Sequence, residues 1–368
     1  MQFKLGILGA TGYIGVPYRK EIREASGDAT IIALSARRKA PLEQAAREDG
    51  ALLATTKWQE VVEHPEVNLV LVATPDAFHH EAVLAAAAAG KHMICEKPLG
   101  MNVAEAKAMW NVYRDAPLAS FVPYWTRYLP CFVRAREIVQ AGNLGTIQSV
   151  MYRWFNPRPA AIPFTWRDDA SVSSAGSIAD VGSHAYDTMR WILNQEATEV
   201  LAHATVLTEA KPDLGEVNLT EALAWGSGHT IKNASTTRAG SANDYASISF
   251  VMNTGTVGTL ILSHASSIRK GLAPELELHG SEGSLAVDRN AGSLTLVRPG
   301  SSPELLVTLP VGKLPNRFEE FVFPAMRSQL ESGAMDHPHL ADGVKVQRFT
   351  DAAALSAKKG AWVQLSEL

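Results

Sequence analysis

In the stretch AGSIADVGSHAYDTMRW (175–191), three ionisable side chains, Asp180, His184 and Asp187, are spaced by four and then three residues. At about 100° per residue this spacing puts all three on one helical stripe. Ile178, Val181, Ala185, Met189 and Ile192 fall on a second stripe roughly opposite, so an amphipathic helix is expected. An imidazole titrates near neutral pH and suits proton transfer to or from a hydroxyl, and a carboxylate one turn away can orient it. The same spacing equally fits a solvated face with local charge pairs. A second candidate is CEKPLG (95–100). Its Lys97 could donate to a substrate oxygen or share in proton transfer, or it could form a structural pair with Glu96.

These side chains need elements to hold them. The first 120 residues alternate strand and helix patterns, with strands expected at FKLGILG (3–9), TIIALSA (30–36), NLVLVAT (68–74) and HMICEK (92–97) and near 119–123. Helical stretches lie between them, one closing at Gly90 as a C-cap. Strands separated by helices imply right-handed crossovers and a parallel, doubly wound sheet. After FVPYWTRYLP a helix at 131–141 is expected. Strand-like runs then follow at 146–155, 199–209, 246–253, 256–266, 274–280, 283–288 and 293–298, joined by turns such as NTG, GSEG and RNAG. Two helical patterns close the chain, near 317–332 and 340–359. The expectation is an α/β dinucleotide-binding Rossmann domain over 1–123, then an α+β domain over 124–368 with a large, mainly antiparallel open sheet. The last helices are candidates to pack back on the first domain.

GILGATGYIG follows the first strand and opens a helix. Gly9, Gly12 and Gly15 form a G-x-x-G-x-x-G loop whose tight turn lets a pyrophosphate approach a helix N-terminus. Thr11 stands where the usual fingerprint has its second glycine. A strand that binds NAD usually ends in Asp or Glu for the ribose 2′-hydroxyl, whereas here it ends in LSARRK, with Ser35, Arg37, Arg38 and Lys39. A 2′-phosphate would be welcome there, so NADP(H) is expected ahead of NAD(H), although a solvated basic loop is also consistent.

Composition narrows the classes. The chain has 368 residues, 46% hydrophobic and 20% charged, with a net charge of −4. That is too long for one average core and gives no basic patch for nucleic acid. No apolar run reaches the roughly 18 residues of a membrane span, and the N-terminus lacks a signal-peptide layout. The two cysteines, Cys95 and Cys131, exclude a disulfide scaffold and fit a reducing cytosol. No Cys/His cluster has metal-ligand spacing, so no metal is expected.

GILGATGYIG, ATPDAFHHEAVLAAAAAGKHMICEKPLG, AGNLGTIQSV, FTWRDD and GSIADVGSHAYDTMRW together resemble the glucose–fructose oxidoreductase/inositol dehydrogenase/rhizopine-catabolism (Gfo/Idh/MocA) family. The E-K-P tripeptide and the D-x-G-x-H-x-x-D pattern carry most of the likeness, and the late ELHGSEGSLAVD and HLADGVKVQRFTDAAALSAKKGAWVQL extend it over nearly the whole chain. The resemblance implies a nicotinamide-dependent oxidoreductase acting on a sugar, anhydrosugar, cyclitol or related hydroxyl, as a homodimer or homotetramer. It implies Lys97, Asp180 and His184 as catalytic residues. Cofactor contacts are expected from Gly9, Thr11, Gly12, Tyr13 and Ile14, from Ser35, Arg37 and Arg38, from Thr74, Pro75 and His79, and from Glu96 and Lys97. Substrate contacts are expected among Tyr124, Arg127, Asn156, Trp166 and Arg167 beside Asp180 and His184. Each of those five also fits a core or structural role. His264 is a further pocket candidate, and Asp187 is expected to support the helix.

Three other functions stay open on the sequence. A semialdehyde-type reductase is suggested by GATGYIG but needs a nucleophilic cysteine. A cofactor-dependent glycosidase and a non-catalytic dinucleotide-binding regulator share the expected fold.

Overall fold

In the first sheet, short apolar runs are bounded by turns. A computed structural model describes residues 1–25, 27–230, 235–308 and 315–368. Its N-terminal part runs β1 (Phe3–Leu8), α1 (Gly15–Glu24), β2 (Ala29–Ser35), α2 (Lys39–Asp49), β3 (Leu53–Thr55), α3 (Trp58–Val62), β4 (Leu69–Val72), α4 (His79–Ala88), β5 (His92–Cys95), α5 (Val103–Tyr113) and β6 (Ser120–Phe121). The six strands lie in the order β3-β2-β1-β4-β5-β6, and every pairing is parallel. Both β4 and β5 are buried throughout; β4 reads as an unbroken apolar run, and β5 does so after His92. The expected strand set omitted β3 and α3, so the CEKP strand is the fifth, and it ends at Cys95 rather than Lys97.

The later part continues with α6 (Pro130–Gln140), β7 (Ile147–Phe155), α7 (Gly176–Leu193), β8 (Ala197–Thr205), β9 (Lys211–Pro212), α8 (Leu219–Gly228), β10 (Thr237–Arg238), β11 (Tyr245–Met252), β12 (Val257–Ser263), β13 (Leu276–Gly280), β14 (Ser284–Asp288), β15 (Ser293–Val297) and β16 (Glu304–Thr308). It closes with α9 (Phe323–Ser332), α10 (Leu340–Lys359) and β17 (Val363–Gln364). Nine strands form a sheet in the order β16-β15-β14-β13-β7-β12-β11-β8-β17. Only the β7–β12 pairing in it is parallel. The strands β9, β10, β16 and β17 and the helix α8 were not anticipated from the pattern. The expected helix at 317–332 begins as a π turn over Phe318–Val322 before α9.

Contacts group Met1–Pro123 with Asn218–Glu221 and Leu314–Lys345 in one unit, and Tyr124–Val217, Ala222–Lys313 and Val346–Leu368 in another. In the first unit Phe3 stacks on Phe323, with centroids 5.2 Å apart, and Tyr18 meets Phe318 edge-on at 5.1 Å. All four rings are buried. In the second unit the Tyr186 ring on α7 stacks on Phe349 of α10. Among the described residues no helix is long and apolar enough to cross a membrane.

Candidate active site

Register aligns the ends of four strands. Leu8 pairs with Ser35 and with Val72, and Val72 pairs with Cys95. The glycine loop, Ser35, Thr74 and the Glu96–Lys97 pair therefore leave the sheet along one row at its carboxyl edge, where open α/β sheets bind their ligands. The Ser35 carbonyl accepts the N–H groups of Gly9 and Ala10, tying the loop to β2.

Two glycines in the loop have steric reasons to be there. Gly9 has φ +80°, and a Cβ on it would lie 2.4 Å from the Ala73 carbonyl oxygen. A Cβ on Gly15 would lie 2.3 Å from the Gly9 oxygen. The turn between them starts α1 at Gly15. Its N-cap Ile14 makes no side-chain cap and its first turn holds no acid. That leaves a helix N-terminus suited to an anion. Beside it, the buried Thr74 hydroxyl finds no hydrogen-bond partner among the described residues. This cradle and its orphaned hydroxyl fit a dinucleotide. Gly9, Thr11, Gly12, Tyr13 and Ile14 would border the phosphates, with Thr74 and Pro75 alongside. Thr11 and Ile14 are half-buried and Tyr13 is exposed.

His79 sits differently from the cofactor contact expected of it. It is fully buried, with Nδ1 2.9 Å from the Pro98 carbonyl and Nε2 2.9 Å from the Thr74 carbonyl. Both ring nitrogens face backbone, so the ring ties the loop after β4 to the loop after β5. Glu96 is also buried and accepts from the Tyr18 hydroxyl and from the Lys97 N–H. Burial pushes the Glu96 carboxyl above its ordinary range, against the pull of Lys97 and Tyr18. Lys97 itself is half-buried.

On the second unit, α7 departs from the expected amphipathic pattern. Fifteen of its residues are buried, and only Asp180, His184 and Trp191 keep partial exposure. A helix packed on every side leaves few openings, and one of them holds the Asp180–His184 pair. The His184 ring stacks on Trp154 at 5.6 Å and meets Tyr124 edge-on at 6.1 Å. Arg158 Nη2 lies 3.3 Å from an Asp180 oxygen and His264 Nε2 3.1 Å from the same oxygen. Arg158 also reaches Asp168, which Lys211 holds at 2.6 Å. Burial, and then the Arg158 charge, pull the His264 pKa below its ordinary value, with Asp180 opposing.

The remaining expected substrate residues separate. Arg127 is buried and donates from Nε and Nη2 to both oxygens of the fully buried Asp187, at 2.7 and 2.5 Å. That fork holds α7 to the chain at 125–128, which corrects the expectation that Arg127 faces substrate. Tyr124 is fully buried against His184. Trp166 and Arg167 lie half-buried on a 3-10 turn whose Asp168 closes a capping box with Thr165. The Asn156 backbone N–H bonds the Ser263 carbonyl, and its own carbonyl lies 3.4 Å from His264 Nδ1. Trp154, Arg158, Asp168 and Lys211 were not among the expected site residues: Asp168 stands inside FTWRDD without a role assigned to it, and the other three lie 17 or more residues outside 175–191. Among the described residues no group of His, Cys, Asp and Glu side chains is arranged to hold a metal.

Residues 3–124 match the family model described as "Oxidoreductase family, NAD-binding Rossmann fold", and residues 132–286 match the model of the GFO/IDH/MocA C-terminal domain. The chain belongs to the Gfo/Idh/MocA oxidoreductase family. A levoglucosan dehydrogenase of Pseudarthrobacter phenanthrenivorans is 25% identical, the alignment covering 96% of this chain and 91% of that protein. An inositol 2-dehydrogenase of Rhizobium meliloti is 24% identical over 97% of each. The solved structure "Levoglucosan dehydrogenase, complex with NADH and levoglucosan" superposes with a TM-score of 0.83 over 99% of this chain and 100% of that one, at 21% identity. As a Gfo/Idh/MocA member the protein is an NAD(P)-dependent oxidoreductase acting on CH–OH, its first unit built on the NAD-binding fold of that family.

The semialdehyde alternative meets a physical obstacle. Burial drives the Cys95 thiol well up and pushes Cys131 to about 11. Neither provides a thiolate near neutral pH.

Proposed function

We propose that this enzyme transfers a hydride between a nicotinamide cofactor and a secondary hydroxyl or keto group of a sugar, anhydrosugar or inositol. The observation that carries the reading is the partial exposure of Asp180 and His184 on a helix that is buried elsewhere except at Trp191, with Asp180 already oriented by Arg158 and His264. The names of the relatives, levoglucosan and inositol dehydrogenases, agree with that substrate class. The bound nicotinamide supplies the hydride acceptor or donor. His184 takes the hydroxyl proton in oxidation and returns it in reduction, held in plane by Trp154 and Tyr124. Asp180 fixes His184 or a neighbouring substrate hydroxyl. Lys97, two residues beyond the end of β5, binds the reacting oxygen and offsets its developing negative charge. NADP(H) is the preferred cofactor and NAD(H) a second, because Arg37 and Arg38 follow β2 with no acid beside them in sequence.

The test is a screen of inositols, aldoses and anhydrosugars with NADP+ and NAD+, read at the nicotinamide absorbance. His184→Ala and Lys97→Ala are measured on the best substrate. Turnover is expected to fall about 10²–10⁴-fold in each, with cofactor affinity retained in His184→Ala. Near-normal turnover in either variant removes that residue from the mechanism. No reduction with any polyol overturns the substrate class.

A further inference from the structure

Although no acid follows β2 in sequence, the fold brings one to it. Arg38 is the N-cap residue of α2, three residues beyond the Ser35 carbonyl that holds the glycine loop. Glu221, 183 residues away, meets its guanidinium as a fork, with Nη2 to Oε1 at 2.8 Å and Nη1 to Oε2 at 3.3 Å. The carboxylate has a second anchor besides Arg38. Glu221 Oε2 accepts the Asn218 N–H at 2.9 Å while Asn218 Oδ1 accepts the Glu221 N–H at 3.0 Å, a reciprocal box in the first turn of α8. Burial opposes the Glu221 charge, and the Arg38 and Asn218 donors outweigh it, so its carboxyl stays below the ordinary range. Both side chains are partly exposed, so the pair is open to exchange with another anion.

A planar guanidinium that binds a carboxylate as a fork binds a phosphate the same way. We propose that Glu221 is a specificity-determining residue: it occupies Arg38 with an ion pair that a cofactor 2′-phosphate has to displace, and so narrows the preference for NADP(H) over NAD(H). This rests on the reading that Arg38 meets the 2′ position. An NAD ribose, carrying no charge there, leaves the pair intact, so both cofactors remain usable. Glu221 thereby acts in place of the acid that NAD-binding strands usually carry at their own end.

Equilibrium titration of NADP+ and NAD+ by calorimetry tests this without turnover. Glu221→Gln keeps an oxygen for the Asn218 N–H and removes the charge. It is expected to tighten NADP+ about two- to fivefold, the range of an exposed ion pair, and to leave NAD+ within about 1.5-fold. In an Arg38→Ala background the same substitution is expected to change neither. Equal effects on both cofactors, no effect on NADP+, or weaker NADP+ binding in Glu221→Gln overturns the proposal. If Arg38→Ala alone weakens NADP+ while Glu221→Gln is silent, the proposal fails and the 2′-phosphate reading stands. If Arg38→Ala leaves NADP+ unchanged, both fail.

Discussion

At the scale of single residues, charges converge beside Asp180. Arg158 is buried between Asp180 and Asp168, and it adds to the burial that holds His264 below its ordinary pKa. A histidine depressed in the folded state contributes stability that is present above the unfolded value, about 6.5, and lost as pH falls through the folded one. Arg158→Met removes one of the two lowering causes. The His264 ring protons should then titrate closer to the ordinary value in an NMR pH series, and the loss of stability between neutral pH and the acid side should become shallower. A titration curve unchanged from wild type would show that Arg158 exerts no field at His264. That Asp180 and His184 share one helix was legible because helical spacing is a local property of the chain. The contacts of Arg158, Lys211, Trp154 and Glu221 were not, because each meets a partner across the sheet or across many residues, and no periodicity encodes that.

At the scale of elements, α7 shows how burial changes the meaning of a polar stripe. Asp187 lies on the same stripe as Asp180 and His184, yet it is fully buried and forked to Arg127, with Arg190 Nη1 3.6 Å away. A buried pair of this kind contributes little net stability but is costly to break from one side, since the remaining charge has no water. Arg127→Met should lower unfolding free energy by about 3–5 kcal/mol in urea titrations. The Michaelis constant for the best substrate of the screen should stay near wild type in the protein that remains folded. Unchanged stability with a raised Michaelis constant would return Arg127 to the substrate. The sequence pattern placed the helix and its apolar positions correctly, because 3.6-residue periodicity needs only one packed face. It missed that the opposite face is packed too, since Ser177, Ser183 and Thr188 count as polar in a pattern yet are small enough to bury. Thr188 does so by donating to the His184 carbonyl and bonding Thr126.

At the scale of the molecule, the parallel sheet was readable from alternating strands and helices, and its ligand edge from the glycine loop. That its unit is completed by residues some 300 positions downstream was not readable in detail, because long-range packing leaves no local trace. Phe318 and Phe323 close over Tyr18 and Phe3, and Arg317 and Arg327 pair with Glu21 and Asp28. The first of these contacts leads to the cofactor edge: Phe318 packs on the Tyr18 ring, and the Tyr18 hydroxyl donates to Glu96, the neighbour of Lys97. A cavity at Phe318 should therefore cost more than its own packing. Phe318→Ala is expected to destabilise the protein by about 3–5 kcal/mol, the usual range for a buried ring, and to weaken NADP+ and NAD+ alike at a temperature where the variant is still folded. Tyr18→Phe, which keeps the ring and removes the bond to Glu96, separates the two effects: cofactor binding should weaken with a smaller loss of stability. If Phe318→Ala loses stability while calorimetry finds both cofactors bound as in wild type, the downstream segment supports the fold of this unit without setting the position of Glu96 and Lys97.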